Sequence, residues 1–268
     1  MAYTNNIKSI AIGSFDGIHI AHKALIDQVD ALVIIERNGG YLSPGYKRAN
    51  FTSKLCCFYH FDMIKGLTPE AFVEKLKTDF PQLERIVVGY DFHFGKNKAG
   101  NAQVLRELCD KKVVIVDEVS LDGISVHSRV IKTYIQKGKI DIANRLLGRA
   151  YSIEGQVISG QGIGKKKLVA TINLDVKAYV LPLEGVYATS TRVEGAYYDS
   201  VSFLGHRVTT DGSFAVETHI IDKETIKTQG QVSLKFIDFI RKNKKFDSLD
   251  ALKKQIAIDI VEAKKRLT

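Results

Sequence analysis

Cysteine and proline are scarce in this 268-residue sequence, and no apolar run approaches the ~18 residues that cross a bilayer. The three cysteines, Cys56, Cys57 and Cys109, include an adjacent pair and show no metal-ligand spacing, which excludes a disulfide framework and a zinc module. A reducing cytoplasm is the expected location, because the first residues also lack the basic-then-apolar order of a secretory leader. No membrane association is expected. Four prolines, 45% apolar and 26% charged residues exclude a disordered or fibrous chain.

What is present begins with room for two cores, since 268 residues exceed the usual single-domain length. The net charge is +9, which admits nucleic acid, a membrane surface or phosphorylated small molecules as partners. Position narrows this. Lysines gather at 165–167, at 242–245 and at the C-terminal end, without a long tail or aromatic interleaving, which argues against a dedicated nucleic-acid site. Small-molecule partners fit better, and a homo-oligomer is left open.

Patterning breaks near residue 148. Before it, short apolar runs at 7–12, 31–35, 85–88 and 113–116 alternate with helical spacing over 21–31, 69–79 and 101–111. β-branched runs bounded by turns are the mark of parallel strands buried on both faces, so residues 1–148 read as successive βα units. Ligands of such sheets bind beyond the carboxyl ends of the strands. After the break, short alternating runs at 151–158, 185–193, 200–204, 214–221 and 231–239 predict an antiparallel sheet or small barrel over residues 149–268. A long amphipathic helix follows, capped within Asp247-Ser248-Leu249-Asp250 and running to Leu267.

The segment Gly13-Ser14-Phe15-Asp16-Gly17-Ile18-His19-Ile20-Ala21-His22 carries a strand through a turn into two histidines three residues apart at a helix start. Unpaired N–H groups and partial positive charge at such a start favour a polyphosphate, and a histidine pair can stabilise charge developing on it. A second segment, Val87 to Asn101, delivers Asp91, Phe92 and Phe94 and a glycine-flanked basic loop to the ligand edge; the rings suit stacking on a flat ring and the carboxylate suits hydrogen bonding to one.

These two stretches resemble the G-x-F-D-G-x-H-x-G-H and V-V-G-x-D-F-x-F-G motifs of the bacterial bifunctional riboflavin kinase/FMN adenylyltransferase (FAD synthetase) family. Ala21 stands where the family has glycine. Leu67-Thr68-Pro69-Glu70-Ala71-Phe72 resembles the family's L-S-P-E-E-F, and 146–155 resembles its L-L-G-R-P-Y-x-I-x-G junction. Two places diverge: the T-F-D/E-P-H-P turn becomes Ile34-Ile35-Glu36-Arg37-Asn38-Gly39, and I-S-S-T-R-I-R becomes Val126-His127-Ser128-Arg129-Val130-Ile131-Lys132. In the second half, Gly162-Ile163-Gly164-Lys165-Lys166-Lys167-Leu168-Val169-Ala170-Thr171-Ile172-Asn173 keeps the Thr and Asn of the riboflavin kinase loop G-x-G-R-x-x-G-F-P-T-A-N but not its proline. Phe214-Ala215-Val216-Glu217-Thr218-His219 matches the L-E-V-H strand, and 239–249 matches F-L-R-x-x-x-K-F-x-S-L. The family's N-I-G-x-R-P-T becomes Phe203-Leu204-Gly205-His206-Arg207-Val208-Thr209.

The resemblance implies a Rossmann-like α/β nucleotidyltransferase domain over 1–148 and a riboflavin-kinase-like antiparallel β-barrel with a C-terminal helix over 149–268. It implies ATP-dependent phosphorylation of riboflavin to FMN, then adenylylation of FMN to FAD, with Mg²⁺. His19 and His22 are then catalytic, with Gly13, Phe15, Asp16, Ser128, Arg129 and Lys132 at ATP, and Asp91, Phe92 and Phe94 on the flavin side. In the barrel, Gly162, Gly164, Lys165, Thr171 and Asn173 serve ATP, Thr171 and Asn173 hold Mg²⁺, Arg241 meets flavin and Glu217 is the general base. Glu217 faces away from Val216 and Thr218 in strand alternation, as a pocket-facing base must. The drifted kinase loop leaves two alternatives open: an FMN adenylyltransferase with a degenerate kinase half, and a non-catalytic flavin- or nucleotide-binding regulator.

Overall fold

The computed structural model describes residues 6–37, 39–159, 169–209, 211–223 and 228–268. It divides into two compact units, residues 1–128 and 129–268. In the first, β1 (Ser9–Gly13), β2 (Ala31–Glu36), β3 (Leu55–His60), β4 (Arg85–Gly89) and β7 (Lys112–Val116) form one parallel sheet in the order β3-β2-β1-β4-β7. The chain reaches it through α1 (Ile20–Ile26), α2 (Phe61–Ile64), α3 (Pro69–Asp79) and α4 (Ala102–Leu108), with two small ribbons, β5 (His93–Phe94) with β6 (Gly100–Asn101) and β8 (Ser120–Leu121) with β9 (Ile124–Ser125).

Strand residues alternate between two cores. Ile10, Ile12, Val33, Ile86 and Val88 pack with Phe72, Leu76 and Leu105 of α3 and α4. Ala11, Leu32, Ile34 and Val87 pack with Leu25 and Ile26 of α1. Burial on both faces is why these strands read as continuous apolar runs. Local signals set the helix starts: Thr68 Oγ1 accepts from Ala71 N ahead of Pro69 in α3, and Asn101 Oδ1 accepts from Gln103 N and Val104 N in α4. The helix expected over 21–31 stops at Ile26, because Gln28 and Val29 close the chain into turns on Leu25 and Ile26 and Asp30 returns to Ser9. The sheet also holds a strand that alternation did not suggest, β3.

The second unit contains most of α5 (Ser128–Gln136), all of α6 (Ile140–Leu147), and a closed antiparallel barrel, β10-β11-β14-β13-β12-β15. The strands are β10 (Tyr151–Ile158), β11 (Ile172–Val176), β12 (Gly185–Val193), β13 (Ala196–His206), β14 (Phe214–Ile220) and β15 (Gln231–Lys242). Asn144 fastens α6 to the barrel, donating to the Phe236 carbonyl at 2.9 Å and accepting from Tyr151 N at 2.7 Å. The barrel interior carries Tyr187, Leu234 and Phe236 alongside a network of wholly buried hydroxyls, Thr189, Thr191, Ser200, Ser202 and Thr218, bonded to one another at 2.7–3.0 Å. The C-terminal helix α7 (Leu249–Leu267), capped by Ser248 Oγ on Ala251 N, sets Ala263 against Val186, Ala188 and Val201 on the outer wall. Among the described residues no helix is long and apolar enough to cross a membrane.

Two buried ionisable groups in the first unit make stability predictions. Arg48 is wholly enclosed, its Nη1 bonded to Glu36, its guanidinium 4.7 Å over the Tyr41 ring. Burial pushes it below its ordinary pKa. Glu36→Gln leaves that charge without its carboxylate, and chemical denaturation should show a loss of about 3 kcal/mol. Burial pushes the Cys57 thiol from the usual value near 9 up to about 11. The fold therefore retains a proton that the unfolded chain releases, so stability is full below pH 9 and declines as the pH rises toward 11. Denaturation midpoints of the native chain should fall more steeply over that interval than those of Cys57→Ala.

Candidate active sites

At the carboxyl edge of the parallel sheet, β1 runs into a turn whose backbone is under strain. Phe15 (φ 47°), Gly17 (φ 86°) and Ile18 (φ 40°) all take left-handed conformations. A β-branched residue there is a genuine outlier, and such outliers gather where geometry matters more than stability. The turn is held from outside: Asp16 Oδ1 accepts from Leu42 N (2.8 Å) and Ser43 N (3.1 Å), and the Asp16 carbonyl accepts from Ser128 Oγ (2.8 Å). Phe15 is buried, lying against Gly13 and edge-on to His22 with ring centroids 5.1 Å apart.

His19 caps α1, its Nδ1 accepting from His22 N at 3.4 Å. The two imidazoles stack with centroids 3.5 Å apart and planes 17° from parallel. Gly13, Phe15, Asp16, His19, His22 and Ser128 are thus gathered around one turn. Arg129, exposed, and Lys132, half-buried, continue α5 from Ser128.

At the end of β4 the residues separate by role. Phe92 and Phe94 are core residues, 8% and 5% exposed, stacked on each other at 5.6 Å. The surrounding glycines explain this: a side chain at Gly100 would meet the Phe94 ring at 2.6 Å, and left-handed Gly95 lies against Pro69. Packing against backbone, rather than an open face, accounts for the motif's aromatic and glycine pattern. Asp91 remains exposed at 62%. Beside it stands a polar group that motif matching did not single out: the Tyr90 hydroxyl is 3.1 Å from both Glu118 Oε1 and His127 Nε2, and His127 Nδ1 is 3.9 Å from Asp91 Oδ2. Hydrogen bonds from Ser125 and then Tyr90 hold the Glu118 carboxyl below its ordinary pKa.

In the barrel, Asn173 of β11 and Glu217 of β14 are direct cross-strand partners. Arg207, just past β13, joins them: its Nε and Nη2 donate to Glu217 Oε1 at 2.9 and 2.6 Å, and Nη2 donates to Asn173 Oδ1 at 2.9 Å. Thr171 is exposed at the entry to β11. Gly162, Gly164 and Lys165 lie outside the described residues. Arg241 is committed to the C-terminal helix, its Nε and Nη2 donating to Asp259 at 2.9 and 2.7 Å.

Among the described residues no cluster of three His, Cys, Asp or Glu could hold a metal unaided. A hydroxyl (Thr171) and an amide oxygen (Asn173) nonetheless suit a hard cation that keeps several waters and takes its other ligands from phosphates. One lone pair of Asn173 Oδ1 goes to Arg207, leaving a second.

The riboflavin kinase family model matches residues 147–267, and the FAD synthetase family model matches 48–130. Curated bifunctional riboflavin kinase/FMN adenylyltransferases align over nearly the whole chain. The chain belongs to this bifunctional family. The Pseudomonas fluorescens relative is 27% identical over 94% of this chain and 91% of its own, and that of Mycoplasma pneumoniae 28% over 96% and 97%. A solved structure described as a macrolide-efflux protein from Streptococcus pneumoniae superposes with a TM-score of 0.85, covering 98% of this chain and 95% of its own at 24% identity. At that identity the likeness is one of fold.

Family membership accounts for the order of an α/β unit followed by a barrel. It also covers Arg207, to which the motifs alone assign no role at the site. The signal available was the arginine retained at the matching place of N-I-G-x-R-P-T. Arg48 gave no motif signal; only its burial beside Glu36, at the end of β2, brings it to notice.

Proposed function

We propose that this chain phosphorylates riboflavin to FMN with ATP in its barrel half, 149–268, and adenylylates FMN to FAD with a second ATP in its α/β half, 1–148. The observation that carries it is the pairing of Asn173 with Glu217 in a barrel of the family's fold, following an α/β unit that gathers His19 and His22 at a strained turn on the sheet's ligand edge.

For the kinase, Glu217 accepts the proton of the attacking riboflavin hydroxyl, and its free oxygen presents a lone pair for that purpose. Thr171 and Asn173 would hold Mg²⁺, which neutralises phosphate charge when bound; Gly162, Gly164 and Lys165 are assigned to the nucleotide by family resemblance. For adenylyl transfer, His19 and His22 stabilise charge on the phosphates, the turn from Gly13 to Asp16 fixes their position, and Ser128, Arg129 and Lys132 supply a hydroxyl and cations for ATP. Asp91 faces the flavin. Phe92 and Phe94 support that edge from the core, and Arg241, assigned to the kinase flavin by family resemblance, also anchors the C-terminal helix through Asp259.

A chromatographic time course tests both halves in one protein. With riboflavin, ATP and Mg²⁺, FMN should appear and then give way to FAD. Glu217→Gln should slow FMN formation by roughly 10²–10⁴-fold while FAD still forms from supplied FMN. His22→Ala should do the reverse, with FAD formation down about 10²–10³-fold. If the native chain makes no product from riboflavin or from FMN, the catalytic reading fails.

A further inference from the structure

The guanidinium of Arg207 makes four side-chain hydrogen bonds at the barrel's candidate site. Its backbone is bonded to Ser213 and Gly212: Arg207 N donates to the Ser213 carbonyl at 2.9 Å and Gly212 N to the Arg207 carbonyl at 3.1 Å. Nη1 donates to Ser213 Oγ at 2.8 Å, and that hydroxyl is itself held by Asp211. The fork is braced from behind while its other edge, Nε and Nη2, faces Glu217 and Asn173.

The pattern at Glu217 is asymmetric. Both donors go to Oε1, at 2.9 and 2.6 Å, and Oε2 has no hydrogen-bond partner among the described residues. A glutamate on a strand has three torsions to order before it can act, and ordering them ahead of substrate binding removes that cost from the reaction. Pinning one carboxylate oxygen fixes the direction of the other. Because the same Nη2 also reaches Asn173 Oδ1, the separation of the two oxygens is set by one planar group. Lysine has the charge but not this geometry, as a single ammonium cannot reproduce two parallel donors and a third contact.

We propose that Arg207 is a positioning residue for riboflavin phosphorylation. It acts through Glu217, holding Oε1 so that Oε2 is aimed at the substrate hydroxyl, and it registers that carboxylate against Asn173. The inference rests on Glu217 being the base.

Steady-state kinase assays on the full chain, comparing Arg207→Ala, Arg207→Lys, Glu217→Gln and the Arg207→Ala/Glu217→Gln double variant, test it. Arg207→Ala should lower kcat by about 10²-fold with the KM for riboflavin little changed, the pattern of a misdirected reacting group. Arg207→Lys should fall between, and melting curves identify any variant that has lost its fold, in which case the lysine variant carries the comparison. The double variant should be no slower than Glu217→Gln alone, since Arg207 has nothing to position once the base is gone. Native kcat in both Arg207 variants, or a double variant slower than Glu217→Gln by the whole Arg207→Ala factor, overturns the positioning role. Native kcat in Glu217→Gln is a different failure, removing the base assignment itself and this inference with it.

Discussion

Among the described residues, the barrel closes through a seam two residue pairs long. β11 meets β14 at Ile172 opposite Thr218 and Asn173 opposite Glu217, whereas β12 and β13 pair over nine positions. A closed barrel needs every strand joined at a fixed stagger, so this short contact fixes the register of its neighbours as well. Strand alternation then makes one seam serve two purposes. Thr218 points inward to the hydroxyls of Thr191 and Ser202, completing a buried network in which each member finds a partner. Glu217 points the other way, beside Asn173. A slip of one residue would exchange them, placing a carboxylate among buried hydroxyls and a threonine at the site. The interior network and the candidate base are in that sense one structural commitment.

The first unit meets a similar demand through the backbone. Three left-handed residues between Phe15 and Ile18 cost of order 1–3 kcal/mol each where a side chain is present. They persist because Asp16 is gripped by Leu42 N, Ser43 N and Ser128 Oγ, and because Phe15 and Ile18 are sunk in the core behind α1. The strain turns the chain sharply enough to bring His19 and His22 into a stack at the sheet's edge. Here packing supports an unfavourable turn; in the barrel, a regular strand pair needs an arginine to finish the arrangement.

Much of this was legible in the sequence where local chemistry and tertiary role agree. Pro69 after Thr68 predicts the start of α3, and 151–158 and 185–193 alternate as half-buried strands should. β3 was not legible. Leu55-Cys56-Cys57-Phe58-Tyr59-His60 lies at the sheet edge, with Leu55 and His60 exposed, and so lacks the continuous apolar run of its neighbours. β11 was hidden differently, because Thr171 to Asn173 read as the end of a nucleotide loop while its strand character comes from pairing with β10 and β14. The motif around Phe92 and Phe94 shows a further limit. Its aromatic and glycine residues satisfy one another in the core, so a pattern suggestive of ligand stacking is largely explained by packing.

Charge explains why Arg207 and Arg241 could not be told apart by type. Both are arginines at resembling motif positions, both are about one-fifth exposed, and each makes a multiple contact with one carboxylate. The difference lies in the acceptor. Asp259 is buried on α7, receives both Arg241 and Gln255, and joins the helix to β15, so that pair is spent on tertiary structure. Glu217 keeps one oxygen clear and sits in register with an amide oxygen, so its arginine orders a group that still has capacity to react. An excess of basic residues says that phosphate is welcome; only the unused valence of their partners says where chemistry is arranged.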